Sequence, residues 1–114
     1  MQLSMKYVIL YVSDFERSMN FYNNILGLPV KMQHGNYVEF DTGNTTLSIN
    51  TRKDVQEIIG LTVPESSVSS HSFEVGFVVE NVVETINMLR QKEVTILKEP
   101  VTKPWGQTVA YVVD

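Results

Sequence analysis

Within the first thirty residues, a short apolar run is followed by large apolar side chains at helical spacing. Residues 7–12 (YVILYV) are apolar and rich in β-branched residues, which predicts a strand. Asp14 follows and can cap a helix, because its carboxylate accepts a free amide of the first turn. Gly27 and Pro29 are expected to end that helix. Between cap and end, apolar residues recur at helical spacing: Phe15, Met19, Tyr22 and Leu26.

Three further strands and a short helix are predicted after this helix. Residues 28–33, 36–41 and 45–50 are strand-like, and glycine- or asparagine-containing turns at 34–36 and 41–44 separate them. Residues 52–59 have the pattern of a short helix. The N-terminal part of the chain therefore follows the order β-α-β-β-β, with a second helix after it.

The same order begins again after residues 64–70 (PESSVSS), a polar stretch typical of a linker. Residues 73–79 predict a strand, and Asn81 with Glu84 resembles a capping box at the start of another helix. Residues 94–98 and 107–113 predict two more strands, with a loop at 100–106. We therefore expect a first module at 1–60, a linker at 61–71 and a second module at 72–114, in one compact domain.

A shift of 67 residues superimposes the two modules. Three apolar strand positions fall on three others, and Asp14 falls on Asn81. Agreement of strand register, helix cap and apolar helix face favours an internal repeat, which would fix the architecture. The alternative is that any two βα units look alike. The aligned strand positions are Val8, Leu10 and Val12 on Val75, Phe77 and Val79.

Composition narrows the class of protein. The 114 residues carry 9 Lys and Arg against 13 Asp and Glu, a formal net charge of −4, and no cysteine. Disulfides, cysteine-based zinc sites and thiolate catalysis are excluded, and a nucleic-acid backbone is a poor partner for an acidic chain. No apolar run approaches the length of a membrane span, and the N-terminus lacks the apolar stretch of a signal peptide. We expect a cytoplasmic protein.

Residues 7–30 (YVILYVSDFERSMNFYNNILGLPV) resemble the opening of the vicinal oxygen chelate superfamily, which includes glyoxalase I, fosfomycin- and bleomycin-resistance proteins and extradiol dioxygenases. Residues 105–114 are similar to the segment that leads into an Asp-Pro-Asp-Gly turn in that family. The resemblance implies an α+β fold of two βαβββ modules, with curved mixed sheets around a cavity and helices outside. The second module has only three strands before Asp114, so either the sequence ends before its last strand or the protein has lost it.

Strand alternation divides the predicted sheet into a helix-facing side and a cavity side. On the cavity side, tyrosines would supply flat apolar walls with hydroxyl groups, and Glu74 would pair with a cationic ligand group or act as a general base. An alternative is that Glu74 lies on an open, wet face. Trp105 either lines the mouth of the cavity or covers the edge of the core. The predicted ligand-binding residues are Tyr7, Ile9, Tyr11, Tyr37, Glu39, Ser48, Glu74 and Trp105.

Metal-dependent members of the superfamily hold a divalent ion at four positions, typically two His and two Glu. The resemblance carries three of these onto Tyr7, Ser48 and Glu74, and the fourth would lie beyond Asp114. A neutral phenol and a hydroxyl are weak ligands, so only one good ligand remains. His34 is expected in a turn, and His71 precedes Glu74 by a spacing that places them on opposite faces. No metal and no cofactor are therefore predicted.

The leading functional hypothesis is a glyoxalase/bleomycin resistance-like module that binds a small molecule, an antibiotic being one candidate, without metal chemistry. The alternative is a metal-dependent lyase or oxidoreductase of the lactoylglutathione lyase or dioxygenase type, with ligands that this register does not reveal. A small-molecule ligand and a homodimer are the expected partners, with no nucleic acid and no membrane. The sequence does not identify the ligand.

Overall fold

A computed structural model describes residues 1–65 and 72–113. By its internal contacts the chain divides into two compact units, one formed by Met5–Phe77 and the other by Met1–Ser4 with Val78–Asp114. Part of the predicted linker lies outside the described residues. His71 and Asp114 also lie outside them. The division into modules at 1–60 and 72–114 stays a prediction.

The larger unit contains the following elements: β1 (Ser4–Val12), α1 (Phe15–Met19) with a π-helical continuation (Asn20–Ile25), β2 (Val30–His34), β3 (Tyr37–Phe40), β4 (Thr46–Thr51), α2 (Arg52–Ile59) and β5 (Phe73–Val78). The five strands form a mixed sheet with the order β2-β3-β4-β1-β5. Strands β1 and β4 are parallel, and β3 is antiparallel to both β2 and β4.

The pairing of β5 with β1 follows from two close approaches. The Tyr11 amide donates to the Ser72 carbonyl at 3.0 Å, and a Cβ at Gly76 would lie 3.0 Å from the Tyr7 Cβ. Residue numbers rise along β5 as they fall along β1, so the two strands run antiparallel. This register places Ile9 opposite Glu74, and both side chains on the same face as Tyr7.

Helix α1 covers the other face of the sheet. Val38, Phe40 and Ile49 are fully buried there, and the Tyr22 ring lies against Phe40 with centroids 5.7 Å apart. Asp14 caps the helix by accepting the Arg17 amide at 3.1 Å, as its sequence position predicts. The side chains packed against this core are Leu10, Val12, Phe15, Met19, Tyr22 and Leu28.

Helix α2 occupies the range that its pattern predicts. The Thr51 hydroxyl accepts the Asp54 amide at the start of the helix, and Gly60 ends it with a φ of 79°. Residues with a positive φ favour glycine because a Cβ would be strained there. Val55 and Ile59 are buried, and the buried Arg52 donates to the Pro64 carbonyl at 3.1 Å.

The smaller unit contains α3 (Val82–Gln91) and an antiparallel pair, β6 (Thr95–Thr102) and β7 (Thr108–Val113). Asn81 caps α3 by accepting the Glu84 amide at 3.0 Å, so the capping prediction is confirmed. The loop predicted at 100–106 is shorter than expected, because β6 continues through Pro100. A two-stranded sheet tolerates proline since each of its strands has an unpaired edge.

The predicted α+β class is confirmed, with one correction to the second module. Strand β5 pairs with β1 of the first module, whereas β6 and β7 pair only with each other among residues 1–65 and 72–113. In the first module β4 joins β1 to β3, and the second module has no equivalent strand in the described part of the chain. Neither sheet closes into a barrel.

Candidate functional site

Seven of the eight predicted ligand-binding residues lie on one face of the five-stranded sheet, opposite α1. We call this surface, with Thr46, Asn50 and Gly76 included, the polar face. The register places its side chains in rows that cross the strands, because residues paired between strands point to the same side. The seven residues are Tyr7, Ile9, Tyr11, Tyr37, Glu39, Ser48 and Glu74.

The centre of the polar face is a buried hydrogen-bonded cluster on β3 and β4. The Tyr37 hydroxyl donates to Glu39 Oε2 at 2.6 Å and lies 3.4 Å from Ser48 Oγ. Glu39 is 7% exposed and Ser48 is 0% exposed. The two positions meet because Glu39 pairs with Ser48 across the strands, and Tyr37 is two residues before Glu39 on the same face.

Tyr37 keeps its proton in this cluster. Burial raises the pKa of the Tyr37 hydroxyl well above its ordinary value, and the hydrogen bond to the acidic Glu39 raises it further. The nearby Ser48 hydroxyl acts in the opposite direction and is the smaller effect. Tyr37 is therefore a fixed hydrogen-bond donor to the carboxylate and is unsuited to act as a general base.

A second tyrosine–glutamate pair joins β1 to β5. The Tyr11 hydroxyl donates to Glu74 Oε1 at 3.2 Å, and Tyr11 is 9% exposed. Burial raises the pKa of the Glu74 carboxyl, and the hydrogen bond from Tyr11 partly offsets that effect. Glu74 is therefore partly buried and hydrogen-bonded in this structure, and its role in a ligand site stays a prediction.

Two carboxylates of the polar face have no cationic partner within residues 1–65 and 72–113. Neither Glu39 nor Glu74 forms an ion pair with another described residue, and Glu39 Oε1 accepts no hydrogen bond from one. Lys31 of the edge strand β2 donates to Thr46 Oγ1 on β4 at 3.4 Å. No local pattern predicts that contact, because Lys31 reaches the face through a bulge between Val30 and Met32.

Trp105 lies in the smaller unit, in the turn between β6 and β7. Its side chain is 45% exposed, and its Nε1 donates to Gln107 Oε1 at 3.2 Å. The other seven predicted residues belong to the larger unit. Its assignment to the ligand site stays a prediction.

The three positions that correspond to metal ligands do not form a suitable donor set. Ser48 is on β4 beside Ile9 of β1, and Tyr7 and Glu74 are diagonal neighbours across β1 and β5. They supply one carboxylate and two neutral hydroxyl groups, which bind divalent ions weakly. Within residues 1–65 and 72–113, no three His, Cys, Asp or Glu side chains are grouped closely enough to hold a metal ion.

Comparison with known proteins identifies the family. Residues 5–114 match the model of the glyoxalase-like domain, so the chain belongs to that family. It is 33% identical over 109 residues, 92% of this chain and 85% of the relative, to the uncharacterized protein YraH of Bacillus subtilis.

Two solved structures share the fold. A hypothetical protein from Bacillus halodurans has a TM-score of 0.69 at 14% identity, over 99% of this chain and 86% of that one. A glyoxalase/bleomycin resistance protein/dioxygenase superfamily member from Vibrio splendidus has a TM-score of 0.53 at 19% identity, over 99% and 90%. The resemblance to the vicinal oxygen chelate superfamily is therefore confirmed. In the described part of the chain, no helix has the length and apolar character needed to cross a membrane.

Proposed function

We propose that this glyoxalase-like protein binds a small cationic molecule on the polar face, without a metal ion. The observation that carries the proposal is Glu39, a carboxylate only 7% exposed that has no cationic partner among the described residues. Burying a charge is costly unless an opposite charge accompanies it. A cationic ligand group would supply that charge and would make the site more stable when occupied.

The tyrosines around the two carboxylates support the same class of ligand. Tyr11 and Tyr37 each donate a hydrogen bond to a glutamate, which fixes the carboxylate in place before a ligand arrives. Aromatic rings also attract cations through their negative faces and stack on aromatic groups. Small-molecule binding of this kind, with an antibiotic as one candidate ligand, needs no residue to act as an acid or base.

Metal independence is part of this proposal. The residues at the three metal-ligand positions favour it, because Glu74 alone among them is an anionic donor. Elemental analysis of protein purified without chelator tests this part. A stoichiometric divalent metal would overturn it and would favour a lyase or oxidoreductase of the glyoxalase or dioxygenase type.

Isothermal titration against a panel of cationic antibiotics and amine metabolites tests ligand binding. We expect at least one cationic compound to bind with a dissociation constant below the millimolar range, and Glu39→Gln to weaken that binding. Glu57→Gln is the matched control, since Glu57 is an exposed glutamate on α2. Absence of any binder better than millimolar, or equal weakening by both variants, would contradict the proposal.

A homodimer in the cytoplasm is the proposed setting of this activity. Strand β5 is at the edge of the five-stranded sheet, and unpaired edges favour pairing between chains. Sedimentation at micromolar concentration checks the oligomeric state, and a monomer throughout would refute the dimer without affecting the ligand proposal.

A further inference from the structure

Glu39 and Glu74, which form no ion pair with any described residue, are on one row across the sheet. Glu39 pairs with Ser48, and Ser48 pairs with Ile9. The register of β1 and β5 places Ile9 opposite Glu74. The row therefore has a carboxylate at each end, with a small hydroxyl side chain and an aliphatic side chain between them.

The row sets the distance between the two carboxylates. Strands β3, β4, β1 and β5 are successive neighbours, so three strand spacings separate Glu39 from Glu74. Neighbouring strands are about 4.8 Å apart, which puts the two backbone positions about 14 Å from each other. A single ammonium group cannot contact both carboxylates over such a span.

Glu39 is the more deeply buried of the two carboxylates. Its side chain is more than nine-tenths buried, Oε2 accepts from the neutral Tyr37 phenol, and Oε1 has no hydrogen-bond partner among the described residues. Glu74 is partly buried and has only the Tyr11 phenol as its described partner. Each end of the row therefore has a carboxyl group that a neutral phenol binds and that no described residue neutralises.

From this arrangement we propose that the ligand is a dication, with one cationic group held by Glu39, the other by Glu74, and an aliphatic spacer crossing Ile9. This inference rests on the proposed function and names the chemical class of its ligand. Alkyl diamines and polyamines have the required chemistry.

A homologous series of α,ω-diaminoalkanes, from four to twelve carbons, tests the proposal in the wild-type protein. Each diamine is compared by isothermal titration with the monoamine of equal chain length. We expect the diamines to bind about tenfold more tightly than their monoamines, with an optimum near a length of about eight to ten carbons, the extended span that matches the row. Diamines that bind no better than monoamines, or a series without an optimum, would overturn the proposal.

Two variants assign the ends of the ligand. Glu39→Gln and Glu74→Gln should each reduce the affinity of the best diamine to about that of its monoamine, while Glu57→Gln leaves it unchanged. The length series needs no variant, so it remains decisive if Glu39→Gln fails to fold. Monoamine binding without a diamine advantage would refute the dication and leave the proposed function intact, whereas absence of binding by every amine would refute both.

Discussion

Tyr37 has two hydrogen-bonding neighbours in a buried part of the polar face, Glu39 at 2.6 Å and Ser48 at 3.4 Å. Tyr37→Phe removes the hydroxyl and leaves the Glu39 carboxylate without a described hydrogen-bond donor. Because an unsatisfied buried polar group costs its full desolvation penalty, we expect the free energy of unfolding to fall by about 1–3 kcal/mol. Urea denaturation measures the change.

Tyr22→Phe is the matched control for this substitution. Tyr22 packs its ring on Phe40 on the opposite face, and no described residue accepts from its hydroxyl. Its loss should change the free energy of unfolding by less than about 0.5 kcal/mol. A double-mutant cycle with Glu39→Gln isolates the pair, and an unchanged cost of Tyr37→Phe in that background would contradict the interpretation.

Glu74 is predicted to make stability depend on pH. Its raised pKa means that the folded protein binds more protons than the unfolded chain between the ordinary glutamate pKa and the raised value. The free energy of unfolding therefore decreases as pH rises through that window, and the loss is complete above the raised pKa. Glu74→Gln should abolish this decrease, since the amide does not ionise.

Urea denaturation of the unliganded protein between about pH 4 and about pH 7 checks this prediction. The difference in unfolding free energy between Glu74→Gln and wild type should become more positive as pH rises. Glu57→Gln, at an exposed position on α2, is the control and should follow the wild-type profile. A wild-type and Glu74→Gln difference that is independent of pH would refute the assignment.

The close approach of strands β1 and β5 requires a glycine at position 76. A Cβ at Gly76 would lie 3.0 Å from the Tyr7 Cβ and 3.1 Å from its Cδ2. The Tyr7 Cβ is attached directly to the backbone, so it cannot move away without moving β1. We expect Gly76→Ala to lower the free energy of unfolding by about 1–3 kcal/mol, as overpacking does, in a thermal or urea melt.

A second substitution distinguishes crowding from other effects of the alanine. Tyr7→Gly removes the opposing Cβ, so the cost of Gly76→Ala should be smaller in the Tyr7→Gly background than in the wild type. Equal costs in both backgrounds would show that the close approach of the two strands is not the cause.

Most element boundaries followed from local physical rules. The caps at Asp14 and Asn81 and the end of α2 at Gly60 are set by side chains and backbone conformations that the sequence displays directly. The continuation of β6 through Pro100 and the bulge that turns Lys31 toward the polar face depend on strand partners. Such features are decided by tertiary pairing and are therefore invisible in a local pattern.

At the scale of the whole molecule, the two sheets are expected to differ in local stability. Strand β4 is paired on both sides, by β1 and β3, and contributes the fully buried Ile49. Among the described strands, β6 and β7 each have one partner, and two-stranded sheets are marginal on their own. Amides at the centre of β4 should therefore exchange with solvent at least about tenfold more slowly than those of β7. Hydrogen exchange followed by NMR measures this, and equal protection would contradict it.

The sequence was sufficient to predict the fold class and the membership of the polar face, because alternation along a strand assigns each side chain to one side. The sequence could not predict which side chains of the polar face would form hydrogen bonds with each other. The bonds from Tyr37 to Glu39 and from Tyr11 to Glu74 depend on side-chain directions and on the register of β1 with β5. Alternation predicts that Val75, Phe77 and Val79 face a helix, yet Val75 and Phe77 are each more than 40% exposed.

The central place of β1 also determines the order in which the sheet can form during synthesis. Strands β2, β3 and β4 are consecutive hairpin partners and can pair as soon as they leave the ribosome. Strand β1 must wait about forty residues for β4 and longer for β5, because its two partners are distant in sequence. Strand β1 is therefore made before both of its partners, and its tyrosines and apolar side chains stay unpaired until β4 and β5 have been synthesised.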